Sequence, residues 1–413
     1  MKQDTNTEAW KSAWNVLIKW DKANKKLDYY LELLGKDKPS YTQARSYFLN
    51  VVKHKIFLEY FIEQVVPQQP HCKMKCFLML VIGQLWLCFR EGKTNIPLIN
   101  GWVERSKPLF SLGESRFVNA VLRKTTAFFQ TVDTLPWSVR YSTPEFLIQR
   151  YCTHYGKTAT LAYLKWNETP ITLYVRTDTP NDFLKATQWP HFYTLDDAKH
   201  WPYVFSMVCK GKAYIQDPMT RIPIEQMQLK PNMAVLDLCA APGGKTRQLL
   251  QILGETGYVV AVDLPEHMRR LRENTQYFNN LSLLGKNILD LSYEDFEQQR
   301  LPKLYDRVLI DVPCSNTGVI RRKPDVLYRL KSKDFEYLPQ LQLALLQKAV
   351  NFVKPDGLLV YSTCSIDPEE NQGVIDQFIK SHPDFQVTYE HISLPWVDQH
   401  DGGGVFCLKK ALI

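Results

Sequence analysis

The sequence predicts an α/β protein: a Rossmann-like, doubly wound domain at the end of the chain, preceded by an all-helical region and a small α+β module. Three observations lead there. From residue 231 onward, short apolar runs alternate with helical patterns. Residues 8–131 repeat apolar positions at three- and four-residue steps and carry few strand signals. Between them, Thr134-Leu-Pro-Trp137 marks a connector, and residues after it mix both patterns. The expected division is 1–135, 136–230 and 231–413.

Composition sets the class. A chain of 413 residues with 45% hydrophobic content can bury large cores, which excludes global disorder. Nine cysteines without regular spacing fit a reducing, cytoplasmic setting better than a disulfide framework. The opening Met-Lys-Gln-Asp-Thr-Asn-Thr has no apolar core, so no signal peptide is expected. Phe77–Phe89 is the most apolar run; it is too short for a membrane span, and a buried helix is expected there. The net charge of +8 is uneven: residues 1–135 hold 20 Lys+Arg against 12 Asp+Glu, and the remainder balances at 31 of each. A polyanion partner or a solvated basic surface both fit that excess.

The elements follow in order. Helices are expected over 9–34, 41–66, 73–91 and 113–132, the last with basic residues Arg116, Arg123 and Lys124 near one another. His71-Cys72-x-x-x-Cys76 has two thiols at helical spacing but no second ligand cluster, so no metal is expected. In the middle module, 144–155 and 158–166 read as helices, and 171–176, 203–208 and 213–216 as strands. Four tryptophans lie between 137 and 201; core positions are the favoured reading, and stacking on RNA bases the alternative. After 231, strands are expected at 235–238, 257–263, 281–285, 307–311 and 358–361. Helices are expected at 245–253, 266–279, 293–299, 338–353 and 368–381.

The first of these strands leads into Cys239-Ala240-Ala241-Pro242-Gly243-Gly244-Lys245, a small-residue turn before a helix. Small residues let a ligand approach the backbone, and a helix N-terminus offers free N–H groups. A phosphate-binding P-loop requires glycine where Cys239 stands, and the dinucleotide glycine pattern is absent. An S-adenosylmethionine pocket fits, with Asp263 at the end of the next strand placed for ribose hydroxyls. A glycine turn in an α/β domain without any nucleotide is the bland reading.

Two later strand ends carry cysteines: Asp311-Val-Pro-Cys314-Ser and Ser362-Thr-Cys364-Ser365. Ligands bind at that edge of open α/β sheets, so two thiols there can meet over a methyl donor. A chance disulfide or two packed thiols are the alternatives.

Together with Gln216-Asp-Pro218, these motifs resemble the RNA (cytosine-5)-methyltransferases of the NOL/NOP/Sun family. Arg116-Phe-Val-Asn-Ala-Val-Leu-Arg123 and Thr317-Gly-Val-Ile-Arg-Arg-Lys-Pro-Asp325 resemble the members that act on 16S rRNA. The resemblance implies a NusB-like helical RNA-binding region, S-adenosyl-L-methionine as cofactor, and RNA, foremost 16S rRNA, as partner. It implies Cys364 as the nucleophile on cytosine C6, Cys314 as the thiol that resolves the adduct, and Asp311 at the cytosine edge. It assigns Cys239, Ala240, Ala241, Pro242, Gly243, Gly244, Lys245, Asp263, Asn287 and Asp311 to the cofactor site. Asn287 departs from the aspartate usual at that place, and Arg176-Thr177-Asp178 from the usual Arg-x-Asn. A cytoplasmic monomer without metal or membrane is expected. Another RNA such as tRNA, or a non-catalytic assembly protein, are the rival readings; a NAD-linked enzyme fails on its glycines.

Overall fold

The structure, a computed structural model, describes residues 2–23, 25–36 and 38–412, with side chains from residue 8 onward. The chain forms two compact units: Met1–Glu168 with Ile320–Leu330, and Thr169–Val319 with Lys331–Ile413. The borders expected at 135 and 230 do not coincide with this division.

The first unit is helical. Its central helix, Cys72–Arg90, buries eleven residues from Met74 to Trp86. By length and composition alone it could cross a membrane, but most of it is enclosed by the bundle. Around it, Trp10, Phe77 and Trp102 meet edge to face, and Phe57, Trp86 and Phe129 form a second aromatic knot. Such contacts add to the area they bury. The helices expected at 9–34 and 41–66 are each broken: Lys2–Lys22 is followed by Leu27–Leu33, and Tyr41–Lys53 by Lys55–Val65, with His54 non-helical at the break. Ile96–Ser106, not expected as a helix, supplies Trp102 to the core. Glu145–Glu168 is interrupted at Gly156, whose φ of 77° only glycine adopts cheaply.

Residues 320–330 belong to this unit because their side chains are buried in it. Tyr328 packs edge-on to Trp20, and Asp325 accepts from the Leu27 N–H at 3.1 Å and from Arg329 Nε at 2.7 Å. By sequence the first unit holds 28 Lys+Arg against 15 Asp+Glu, net +13, and the second 23 against 28, net −5. The segment 320–330 itself brings four bases and one acid, so the basic excess is larger and less contiguous in sequence than its first third suggests.

The second unit has two sheets. The small one contains β1 (Tyr174–Arg176), β2 (Leu184–Ala186), β3 (Phe192–Leu195) and β4 (Tyr214–Ile215), antiparallel in the order β2-β3-β1-β4. The expected strand at 203–208 is instead part of a helix, Trp201–Cys209. Its aromatic and β-branched run reads as a strand locally, but Pro202 at its start and burial of Val204 alone favour one helical turn after another.

The large sheet contains β5 (Ala234–Leu238), β6 (Tyr258–Asp263), β7 (Leu281–Gly285), β8 (Tyr305–Asp311), β9 (Val353–Thr363), β10 (Phe385–Ser393) and β11 (Gly403–Lys410), in the order β10-β11-β9-β8-β5-β6-β7. β5 to β9 are parallel, and β10 and β11 run antiparallel at one side. β5 and β6 are buried along nearly their whole length, as strands covered on both faces must be. The chain goes from β5 outward through β6 and β7, then returns to β8 and β9. The switch point therefore lies between β5 and β8, where this architecture opens a crevice.

Candidate active site

The turn after β5 is held by backbone and by one carboxylate. Cys239 has a φ of 59° and Gly243 a φ of 100°, and the Ala241–Pro242 peptide is cis. The Ala240 N–H donates to the Val262 carbonyl at 3.1 Å, tying the turn to β6. Asp263, at the end of β6, accepts from the Ala241 N–H at 2.8 Å and the Leu264 N–H at 2.7 Å, and pairs with His267 Nδ1 at 2.7 Å. The glycines serve packing within the protein: a Cβ on Gly243 would stand 3.0 Å from Leu271 Cδ1, and one on Gly244 3.0 Å from Tyr214 Cε1.

Next to this turn lies a cavity of about 460 Å³. Of the residues singled out from sequence, Cys239, Ala241, Asp263, Asn287 and Asp311 line it, whereas Ala240, Pro242, Gly243, Gly244 and Lys245 do not. Sequence reasoning missed His267, Lys286, Ile288, Leu289, Pro313, Tyr337, Leu341 and Leu345 on its walls. A partial signal existed for two of them, since Leu341 and Leu345 repeat at helical spacing on Asp334–Ala349. Asn287 uses its side-chain oxygen to accept from the Leu289 N–H at 3.2 Å.

The two thiols meet at neighbouring strand ends. β8 and β9 pair in parallel with Asp311 opposite Ser362, so the loops that follow leave side by side. Cys314 Sγ and Cys364 Sγ are 3.0 Å apart; neither is in a disulfide, and both are only partly buried. The Cys364 N–H points at Cys314 Sγ at 3.3 Å, and Cys364 Sγ donates to Asn316 Oδ1 at 3.2 Å. Lys245 reaches this group from the helix after the turn, with Nζ 2.6 Å from Asp311 Oδ2.

Beneath the thiols, buried polar side chains fasten the two loops together. Glu370, fully buried, accepts from the Ser315 N–H at 2.9 Å, Ser365 Oγ at 2.7 Å and Gln342 Nε2 at 2.8 Å. Tyr361 donates to its carbonyl at 2.6 Å. Thr317 donates to Asp367 Oδ2 at 2.6 Å, and the Gly318 N–H to the Cys364 carbonyl at 3.0 Å. Each donor that binds Glu370 would cost the most if left unpaired in the interior, so the set holds one geometry.

The charges are tuned by burial and by one another. Burial works against the charge on Lys245, but Asp311, assisted by Cys364 and Asp237, outweighs it and raises the lysine above its ordinary value. Cys314 is pushed well above an ordinary thiol by its hydrogen bond to Cys364 and by burial. Burial and the surrounding Asp263, Asp311 and Asp237 do the same to Cys239, so that thiol stays neutral. Asp237 is fully buried, with only Oδ2 bonded, to Thr246 Oγ1 at 2.6 Å; burial raises it to about 7. In the first unit, Asp21, Cys72 and Cys76 lie close enough to share a metal, but Lys75 Nζ sits 3.1 Å from Asp21 and competes with a cation there.

Residues 225–401 match the family model described as 16S rRNA methyltransferase RsmB/F. Curated relatives include the probable ribosomal RNA small subunit methyltransferase B of Bacillus subtilis, 38% identical over 43% of this chain and 39% of its own length. Another is the ribosomal RNA small subunit methyltransferase B of Proteus mirabilis, 39% identical over 48% of this chain and 45% of that one. The matched stretch thus spans less than half of those relatives. The crystal structure of PH0851 superposes with a TM-score of 0.76 at 20% identity, covering 98% of this chain and 99% of that one. NSun6 from Pyrococcus horikoshii with SFG superposes with a TM-score of 0.55 at 18% identity, covering 65% of this chain and 98% of that one. At such identities the two structures establish the fold. Residues 225–401 of this chain are thus similar to the 16S rRNA methyltransferase RsmB/F family.

Proposed function

We propose that this chain is an S-adenosylmethionine-dependent methyltransferase that modifies C5 of a cytosine in 16S rRNA. The observation that carries the proposal is the pair of thiols, Cys314 and Cys364, 3.0 Å apart beside the cavity at the sheet's switch point. The named activity of the curated relatives supports RNA of the small subunit as substrate. The net +13 of the first unit supports a polyanion, with residues 1–135 as a NusB-like RNA-binding region.

The cavity suits the cofactor. Asp263 and Asn287 offer polar contacts on one side, and Ile288, Leu289, Leu341 and Leu345 give apolar walls that suit a purine. The cofactor supplies an electrophilic methyl group. Cytosine C5 is a poor nucleophile until a thiolate adds to C6. Cys364 attacks C6, the C5–C6 π pair moves to C5, and C5 takes the methyl group. The C5 proton then leaves, the Cys364–C6 bond breaks, and the aromatic ring and thiolate are restored, with Cys314 assisting this resolution. Lys245, held charged by Asp311, lies within electrostatic reach of Cys364 and favours its thiolate. The target base must leave its stack to reach the sulfur. Bisulfite mapping of rRNA from cells with and without the gene tests this: one cytosine should lose its protection, and identical maps would refute the proposal.

A further inference from the structure

Cys364 Sγ has a neighbour that the mechanism above does not use. Asn316 stands two residues after Cys314, at a φ of 62°. Asparagine tolerates that left-handed conformation better than most residues, because its short amide can bond the nearby backbone. Here Nδ2 donates to the Cys314 carbonyl at 2.7 Å. That bond fixes which end of the amide is nitrogen, so Oδ1 is the atom turned toward Cys364 Sγ, 3.2 Å away. One side chain thus ties the sulfur of one loop to the backbone of the other.

The contact also orders the protons. Oδ1 can only accept, so Cys364 gives its S–H to Asn316. The Sγ–Sγ contact at 3.0 Å is then left to the Cys314 proton, which points at Cys364. An ionised Cys364 would keep the bond from Cys314 but face Oδ1 with no proton between them. The amide therefore favours the neutral sulfur, held in one position. Other groups surround the same atoms. Lys245, on the helix Gly244–Leu253 with Asp311 beside it, favours the thiolate. Glu370 lies beneath Cys314 and works against charge on it, and Asp367 binds Thr317 on the same loop.

We propose that Asn316 is a positioning residue for the nucleophile: it holds Cys364 Sγ beside Cys314 as the thiol and restrains its ionisation between turnovers. The proposal rests on the reading that Cys364 attacks cytosine, and deepens it. A left-handed turn alone would need no amide at this place, and glycine would serve it equally.

The test uses the full chain with Asn316→Gly, which keeps the turn and drops the amide, and with Asn316→Asp. Each protein is treated with iodoacetamide across a pH series, and alkylation of Cys364 is read by mass spectrometry of its peptide. Asn316→Gly should react about three- to ten-fold faster than the parent at neutral pH, because nothing accepts the S–H. Asn316→Asp should react more slowly, with its profile moved up by about one pH unit, since a carboxylate sets a like charge against the thiolate. In methylation assays Asn316→Gly should lose about ten-fold in kcat, because the sulfur is no longer held, with KM for RNA and cofactor affinity unchanged. A glycine variant that matches the parent in both alkylation and kcat overturns the proposal and leaves Asn316 as a turn residue. A fall in kcat that accompanies a lower melting temperature, with the alkylation profiles of both variants unmoved, marks a structural role and also overturns it. Alkylation needs no RNA: profiles that shift as expected in a chain that methylates no cytosine uphold the hold on the sulfur and overturn Cys364 as the nucleophile for cytosine.

Discussion

In the helical unit the buried acid Glu168 is ringed by cations; in the second unit the buried acids Asp237 and Glu370 are ringed by hydroxyls, amides and other carboxylates. Glu168 has Arg90 at 2.9 Å, His54 at 3.5 Å and Arg140 at 3.6 Å. Burial alone would raise it, but His54, Arg90 and Lys53 together hold it down at about 2. Its neighbour Lys53 is pushed down to about 8, by burial and by Arg90 and Arg321 against Glu168. Asp237 and Glu370 go the other way, both raised chiefly by burial. The contrast matches the net charges of +13 and −5. One unit holds cations in excess, and in the other burial raises the interior acids.

The largest effect expected from this contrast is on stability. Glu168→Ala should destabilise the protein by about 1.5–3 kcal/mol, because it removes the carboxylate that Arg90, Arg140 and His54 share. Chemical denaturation at neutral pH measures it, and a change below about 1 kcal/mol would show that the cations are already neutralised otherwise. The wild-type contribution of Glu168 is present above the unfolded carboxyl value and is lost as pH falls from about 4.5 toward 2.

Asp237 has the opposite sign. Its folded value is raised, so between about pH 4 and 7 the folded state holds a proton that the unfolded state has released, and stability falls as pH rises through that window. Asp237→Asn should remove this slope. The stability difference between variant and parent should shift by on the order of 2–4 kcal/mol in the variant's favour from pH 4 to pH 8. Parallel stability curves for the two proteins would sink the assignment.

Affinity effects are smaller. Arg116, Arg123 and Lys124 are exposed on the first unit; replacing all three with Gln should lower RNA affinity about ten-fold at physiological salt and reduce the salt slope by about 2–3. An unchanged slope would place the RNA elsewhere. Asn287→Asp should keep or improve cofactor affinity, by under about ten-fold, as a charged acceptor gains and desolvation opposes it. Calorimetry decides, and a large loss would remove Asn287 from the cofactor's surroundings.

The sheet was legible where burial on both faces leaves an apolar run bounded by turns, as in β5, β6 and β8. Short strands such as Leu184–Ala186 left no such run, the edge strand β10 is only partly buried, and β11, paired between β10 and β9, opens on two glycines. Trp201–Cys209 misled because aromatic content reads as strand when its lack of burial is unseen. The thiols were found through their motifs. Glu370 was not, because its partners Ser315, Gln342 and Ser365 are drawn from three separate stretches of the chain. Membership of 320–330 in the helical unit was equally hidden, since Tyr328 and Asp325 reach residues about three hundred positions earlier.

The roles of the two sulfurs are the centre of the account, and one measurement reaches them directly. Labelled 16S rRNA is incubated with S-adenosylmethionine and with the parent, Cys314→Ala or Cys364→Ala, then run on a denaturing gel. Cys314→Ala should give a slow band in which RNA stays bound to protein, because attack and methyl transfer proceed while resolution stalls. Cys364→Ala should give no such band and no methylation. A denaturant-stable band from Cys364→Ala, with none from Cys314→Ala, would contradict the account by reversing the two roles.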